Sequence, residues 1–368
     1  VSGRIVVFGA TGYTGRLVTH ELVQRGVRPL IAGRDAGRLA RLGDELGGGL
    51  ETCVADVEQP RSIAALVDEG DVLVSTVGPF VRWGQPAVLA AVAKRAAYLD
   101  SSGESAFIRD MRERVGQRAV DAGTPLIPAF GYDYVPGNLA GALALRRAGP
   151  DASRLDIGYF APGMGGVSGG TVASSVGMML MPSFRFDDGR LVDDRLGART
   201  RTFCVGADAT VAVAVGGTEH LFLPALAAGL RTVGVYLGWF GRLGRFAPHA
   251  AAVARGVTAV PGATSLLTSS AARFRGSAGG PDADARARGA SLVVAEASDA
   301  DGRTLTRVDL TGADPYTLTG RLLAWAATTA LAGGVHGSGV LGPVQAFGLD
   351  ELESGCATLG LTELSTGG

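Results

Sequence analysis

The first 130 residues repeat one pattern, and that pattern leaves few folds open. Residues 4–26 read as a short apolar strand, a glycine turn and a helix. Strand-like runs at 28–34, 50–57, 71–80, 97–104 and 124–130 then alternate with helical stretches at 35–46, 61–70, 84–97 and 107–123. Parallel strands need helix-length crossovers, and strands covered on both faces read as continuous apolar runs. The expected class is therefore α/β, a Rossmann doubly wound parallel sheet over residues 1–131. Asp35 stands where the second helix needs an N-cap.

After residue 131 the rhythm changes. Residues 154–160 and 209–215 read as strands, and 290–312 alternates on both sides of a DADG turn, as a hairpin does. A glycine-rich turn feeds an apolar helix at 165–181, and 276–290 reads as an exposed loop. These features predict an inserted α+β substrate domain over 132–313. Asp314 followed by Pro315 is a helix start, N-cap then N1. It opens a C-terminal segment, 314–368, whose helix is expected to return to the first domain.

Composition limits the functional classes. With 368 residues, 46% hydrophobic, the chain can bury a substantial core, and a net charge of −1 offers nothing to nucleic acid. Cys53, Cys204 and Cys356, like His20, His220, His249 and His336, are scattered without metal-ligand spacing, so no metal site is expected. Residues 220–246 are apolar but interrupted by Pro224 and Arg231, too broken for a membrane span. Core packing is the first reading of that stretch, and a peripheral membrane contact or a face for a greasy substrate is the alternative. No charged segment followed by an apolar one opens the chain, which gives a cytoplasmic expectation, membrane-peripheral in the alternative.

Gly9-Ala-Thr-Gly12-Tyr-Thr-Gly15 lies between the first strand and the first helix. A helix start offers free N–H groups and positive dipole to a pyrophosphate, and glycine lets the backbone come close. Gly9, Thr11, Gly12, Tyr13, Thr14 and Gly15 are thus cofactor candidates, although the spacing is GxxGxxG rather than GxGxxG. At the end of the second strand, where an acid grips the ribose of NAD, the chain has Gly33-Arg34. A guanidinium suits a 2′-phosphate, so the expected cofactor is NADP(H), with Arg34 on the phosphate and Arg38 nearby. Ligands lie at the carboxyl ends of such strands. That adds Asp56 and Val57 near the adenine, Val77, Gly78, Pro79 and Phe80 under the ribose and nicotinamide, and then Ser101, Ser102, Gly103 and Phe130.

The chemistry has few candidates. The single lysine, Lys94, has Ala90 four residues before it, so no Tyr-x-x-x-Lys pair exists. The loop PAFGYDYVPG (128–137) supplies Tyr132, Tyr134 and Asp133: either tyrosine as a proton donor, the acid as its orienter or as a stabiliser of a cationic substrate. A second loop, GGVSGGT (165–171), offers Ser168, Gly169, Gly170 and Thr171 to hold a substrate oxygen.

Together the stretches FGATGYTGRL, IAGRDAGRL, STVGPFVRWGQPAVLAAV, YLDSSGE, PAFGYDYVPGNLAG, SGGTVASS, DPYTLTGRLLAWAA and GVLGPVQAFGLDELESG resemble the saccharopine dehydrogenase-like NADP-binding oxidoreductases. Within that family they look most like the trans-acting enoyl reductases of actinobacterial polyketide lipid pathways. The resemblance implies NADPH-dependent reduction of substrates ranging from unsaturated acyl chains to imines. GYDYVPG departs from the commoner GFDSVPxD: Tyr134 replaces a serine and Asn138 an acid, which suggests a specialised tailoring enzyme. The resulting expectation is reduction of a conjugated C=C bond in a biosynthetic, secondary-metabolite intermediate. Imine or carbonyl reduction and a non-catalytic NADP sensor are the alternatives. Expected partners are a small-molecule or carrier-bound acyl substrate and a second copy of the chain.

Overall fold

A computed structural model describes residues 3–162, 182–206, 208–239 and 280–364, with positions 244 and 247. The chain divides into two compact units, one of residues 1–135 and 315–360 and the other of residues 136–314 and 361–368. The boundaries differ from the expected 131/132 and 313/314. The loop 132–135 lies with the first unit, and the final strand lies with the second rather than returning to the first.

In the first unit the strands are β1 (Ile5–Phe8), β2 (Leu30–Gly33), β3 (Thr52–Val54), β4 (Val72–Ser75), β5 (Ala97–Asp100) and β6 (Pro125–Ile127). They lie in the order β3-β2-β1-β4-β5-β6, with Gly339–Val340 beyond β6, and every pairing is parallel. β1, β2 and β4 are buried at every position, which is why their sequences, apart from Ser75, are apolar runs rather than alternating ones. The helices that follow β1, β2 and β3 are α1 (Tyr13–Gln24), α2 (Ala36–Glu45) and α3 (Pro60–Ala64). Those between β4 and β6 are α4 (Phe80–Trp83), α5 (Gln85–Lys94), α6 (Ser105–Arg114) and α7 (Gly116–Asp121). Asp35 caps α2 as expected, accepting from the Arg38 N–H at 2.9 Å.

The C-terminal helix starts at Pro315, as expected, and runs to Leu331. It rests on α1 where residue 320 is glycine: a Cβ there would lie 3.1 Å from Leu17 Cβ. Its Trp325 and the later Phe347 enclose Phe130 in an aromatic cluster, with ring centroids 4.8–6.2 Å apart.

The second unit begins along α8 (Val135–Ala148). Its sheet contains β7 (Arg154–Phe160), β8 (Pro182–Asp187), β9 (Arg190–Arg195), β10 (Thr200–Val205), β11 (Asp208–Ala214), β12 (Thr232–Leu237), β13 (Ala290–Ser298) and β14 (Thr304–Ala313). The main order is β10-β11-β12-β7-β13-β14, extended by Thr362–Glu363, while β8 pairs with β12 and with β9. The pairing is antiparallel except between β12 and β7. Within 276–290, expected to be a loop, residues Ala283–Arg288 form a short helix capped by Asp282.

One face of this sheet carries paired charges. Asp156, fully buried, accepts from Arg154 at 2.6 Å and meets Arg201 at 2.7 Å. Arg201 and Arg307 both reach Glu296, and Arg307 also donates to the Cys204 carbonyl at 2.6 Å. β14 and β10 therefore approach one another and the sheet curls. A charge so buried is tolerated only when paired and hydrogen-bonded. His220, also buried, is structural: Nδ1 accepts from the Phe186 N–H, Nε2 lies 3.2 Å from the Val215 carbonyl, and burial lowers its pKa to about 4.

Over the described part of 220–246, core packing is the structure's answer. Leu221, Phe222, Leu223, Leu230, Val233, Val235 and Tyr236 are all buried. Among the described residues no helix is long and apolar enough to cross a membrane.

Candidate cofactor and active site

The glycine turn after β1 is shaped by contacts that only glycine allows. Gly9 has φ 89°, and a Cβ on it would lie 2.7 Å from Thr76 Oγ1. A Cβ on Gly15 would lie 2.2 Å from the Gly9 carbonyl oxygen and 2.8 Å from Ala10 Cα. The first turn of α1 is thus pressed against the loop that precedes it. No side chain caps α1; its N-cap is Gly12, whose N–H donates to the Gly9 carbonyl at 2.9 Å. Thr76, which sequence reasoning missed, donates from Oγ1 to the Phe8 and Gly9 carbonyls, both at 3.2 Å. It ties the end of β4 to the glycine turn. Thr11, Tyr13 and Thr14 complete the turn, and the Tyr13 ring stands edge-on to Tyr316 at 5.2 Å.

Arg34 follows β2 directly and is exposed, as is Arg38. Neither guanidinium makes an ion pair or hydrogen bond among the described residues. The fit to a dinucleotide phosphate is good on these observations: a close-approach backbone turn at a helix start, and a free guanidinium at the next strand end. Gly9, Gly12, Gly15 and the neighbouring amides would hold the pyrophosphate, and Arg34 a 2′-phosphate. Arg34→Ala is expected to weaken NADPH binding about 10–100-fold, the loss of one charge-assisted contact of about 1.5–3 kcal/mol. NADH binding should change little. Calorimetric titration with both cofactors checks this, and equal losses for both would contradict it.

The remaining candidates lie at the ends of successive strands of the same sheet. Asp56 and Val57 follow β3 and are partly exposed, and the Asp56 carboxylate accepts from the Glu58 N–H at 3.0 Å. Val77, Gly78 and Pro79 follow β4 and keep some exposure, whereas Phe80 turns inward beside Phe107, centroids 5.7 Å apart. Glu104, also missed from sequence, accepts from the Phe80 and Val81 N–H groups at 2.7 and 2.8 Å. It fixes the Gly-Pro-Phe turn and occupies those two amides.

Asp100, at the end of β5, is wholly buried. It accepts from Tyr98 Oη at 2.9 Å, from Ser102 N and Oγ at 2.9 and 2.6 Å, and from Ala129 N at 2.8 Å. Burial raises its pKa above the ordinary carboxylate value, and the hydrogen bonds oppose that shift. Ser102 is therefore a partner of Asp100 inside the protein rather than a group turned toward a ligand. Gly103 is exposed.

Phe130 requires a correction. Its ring is 0% exposed and sits between Trp325 and Phe347, so it is core and offers no face to a cofactor. In the loop that follows, Tyr132 and Tyr134 are buried, at 2% and 6% exposure. The Tyr132 N–H donates to Thr319 Oγ1 at 3.0 Å, and Tyr134 Oη donates to the Gly103 carbonyl at 3.1 Å. Asp133 alone of the three is partly exposed. Burial raises its carboxyl from 3.8 to about 6. Ser168, Gly169, Gly170 and Thr171 lie outside the described residues, and among the described residues no group of His, Cys, Asp or Glu could hold a metal ion.

Residues 5–127 match the saccharopine dehydrogenase NADP binding domain. A trans-acting enoyl reductase of Mycobacterium ulcerans is 33% identical over 201 residues, 52% of this chain and 48% of that protein. One of Mycobacterium tuberculosis is 32% identical over 199 residues, with the same two shares, 52% and 48%. The chain spans about half the length of the curated relatives it matches (48%). Among solved structures, the apo saccharopine dehydrogenase (L-Glu forming) of Saccharomyces cerevisiae aligns with TM-score 0.62 at 14% identity, covering 98% of this chain and 99% of that one. The homospermidine synthase of Legionella pneumophila, solved with NAD, aligns with TM-score 0.65 at 9% identity, covering 100% and 92%. Both likenesses concern the fold.

Proposed function

We propose that this chain, whose residues 5–127 match the saccharopine dehydrogenase NADP binding domain, is an NADPH-dependent reductase of a conjugated C=C bond. Its substrate in this reading is an enoyl-type biosynthetic intermediate, small or carrier-bound. The observation that carries it is the pairing of a cradle for NADP with relatives named trans-acting enoyl reductase at 32–33% identity.

Bound NADPH would supply the hydride for the β carbon. The chain's own residues have three tasks. The turn Gly9–Gly15 and Arg34 bind the phosphates. Glu104 and Thr76 hold the loop after β4 in the shape it needs, by hydrogen bonds to its backbone and to the glycine turn. The loop 130–134 carries the candidate proton sources at the end of β6.

Purified protein mixed with NADPH and either an α,β-unsaturated acyl thioester or a cyclic imine tests the reading. Consumption of NADPH with the thioester, and much less with the imine, is expected. Consumption with the imine alone would move the reading to C=N reduction, and consumption with neither would end it.

A further inference from the structure

Among the three candidate groups of the loop after β6, position separates one from the others. Both tyrosine rings are buried, and the Tyr134 hydroxyl is spent on the Gly103 carbonyl. Asp133 differs in each respect. The residue is partly exposed, and it makes no hydrogen bond or ion pair among the described residues. Its carboxylate instead lies against Gly103, so closely that a Cβ on that glycine would come within 3.1 Å of Asp133 Oδ2. A carboxyl sheltered from water without a compensating donor is costly, and such groups are kept where they serve a reaction.

The place is also informative. Gly103 follows β5 and Asp133 follows β6, and β4, β5 and β6 are neighbours in the parallel sheet. Their carboxyl ends form the edge on which a doubly wound sheet binds its ligands. The turn 77–80, expected beneath the nicotinamide, ends β4 on that edge.

We propose that Asp133 is the catalytic acid of this site, protonating the substrate carbon α to the carbonyl after hydride has reached the β carbon. The proposal rests on the reductase reading above. The reductant is NADPH, which leaves as NADP⁺. The substrate C=C π bond is lost, and its electron pair becomes that of an enolate. The Asp133 O–H bond then breaks as the α C–H bond forms, and the carboxylate takes back one proton (H⁺) from bulk solvent, the proton the overall reduction consumes with NADPH. The group is suited to this task because burial lifts its carboxyl to about 6. It thus keeps a protonated fraction near neutral pH, where a general acid works best. Among the described residues, the titratable groups next in sequence to Asp133 and to Gly103 are Tyr132 and Tyr134 on its own loop, and Glu104. Tyr134 is engaged with the Gly103 carbonyl, and Glu104 with the Phe80 and Val81 amides.

The experiment compares wild type, Asp133→Asn and Asp133→Glu with an enoyl thioester and NADPH, together with an infrared titration of the protonated carboxyl band. Wild-type kcat/KM should fall as pH rises through about 6, and its carboxyl band should fade over the same range. Asp133→Asn should lose that band, bind NADPH within twofold of wild type, and react slower by about 100-fold or more, the usual worth of a positioned acid. Asp133→Glu should restore part of the rate. An Asn variant with more than half the wild-type kcat, or with the wild-type pH profile, would overturn the proposal and leave the reductase reading standing. So would a wild type with no carboxyl band attributable to Asp133 below its titration. A wild type inert toward every enoyl thioester would overturn both.

Discussion

Replacing Gly15 by alanine should lower NADPH affinity by about 100-fold or more. The added Cβ would stand 2.2 Å from the Gly9 carbonyl oxygen and 2.8 Å from Ala10 Cα. Both are backbone atoms of the turn itself, so no rotamer change relieves the overlap and α1 must move off the loop. The N–H groups at the start of α1 move with it. Each charge-assisted hydrogen bond they would make to phosphate is worth about 1.5–3 kcal/mol, and two misplaced amides account for the loss. Gly12→Ala is the graded comparison. Its Cβ would come no closer than 3.2 Å to the same oxygen, at φ −75°, which alanine adopts freely. It should cost less than Gly15→Ala in a fluorescence titration with NADPH. Equal affinities for the two variants would show that the contact between turn and helix does not set the phosphate site.

The second large effect is expected at Asp100. Asp100→Ala should destabilise the first unit by about 3 kcal/mol or more, since buried donors left without an acceptor cost about 1–3 kcal/mol each. Those donors are the Tyr98 and Ser102 hydroxyls and the Ser102 and Ala129 N–H groups. Because Ala129 opens the path to Asp133, NADPH turnover should fall with stability. Asp100→Asn keeps one oxygen for the two N–H groups and should cost less. The pH dependence has a definite sign. Burial raises the native carboxyl above its ordinary 3.8, so the unfolded chain releases this proton at lower pH than the native one. The stability that protonated Asp100 contributes is present below 3.8 and is lost as pH rises through the raised native value. Urea unfolding of wild type across that range should show the decline, and Asp100→Asn should lack this component. An Ala variant as stable as wild type would contradict the role given to these four hydrogen bonds.

The first unit was legible because its information is local. Four-residue apolar strands, a glycine turn, Asp35 as a cap and Pro315 as a helix start each act within a few residues of themselves, and the alternation of strand and helix fixes the sheet type. β8, β9 and β10 escaped notice for the opposite reason. Arg185, Asp194 and Arg201 look like the charges of a solvated loop, yet Arg185 pairs with Asp194 across β8 and β9, and Arg201 pairs with Asp156 and Glu296 far along the chain. The interruptions in 220–239, Pro224 and Arg231, mark the passage from short helical turns into β12 inside the core of the second unit.

The candidate site divides in the same way. Gly9, Gly12 and Gly15 declare themselves as a close-approach turn, because a turn between a strand and a helix has one set of needs; the role of Arg34 is a proposal. Glu104 carried a faint signal as the acid closing YLDSSGE, but its partners, the Phe80 and Val81 amides, are brought to it by the pairing of β4 with β5. Phe130 was misjudged because the aromatic residues that enclose it, Trp325 and Phe347, are about two hundred positions away in sequence. Whether Tyr132, Asp133 or Tyr134 faces outward is set by Thr319 and Gly103, and alternation along the loop carries no trace of either.

Reduction of an enoyl thioester with NADPH deuterated at C4 tests the central claim most directly. A saturated product one mass unit heavier, with the label on the β carbon, is expected to form as NADPH is consumed. An unlabelled product, or NADPH left unchanged while the cofactor binds normally, would contradict it.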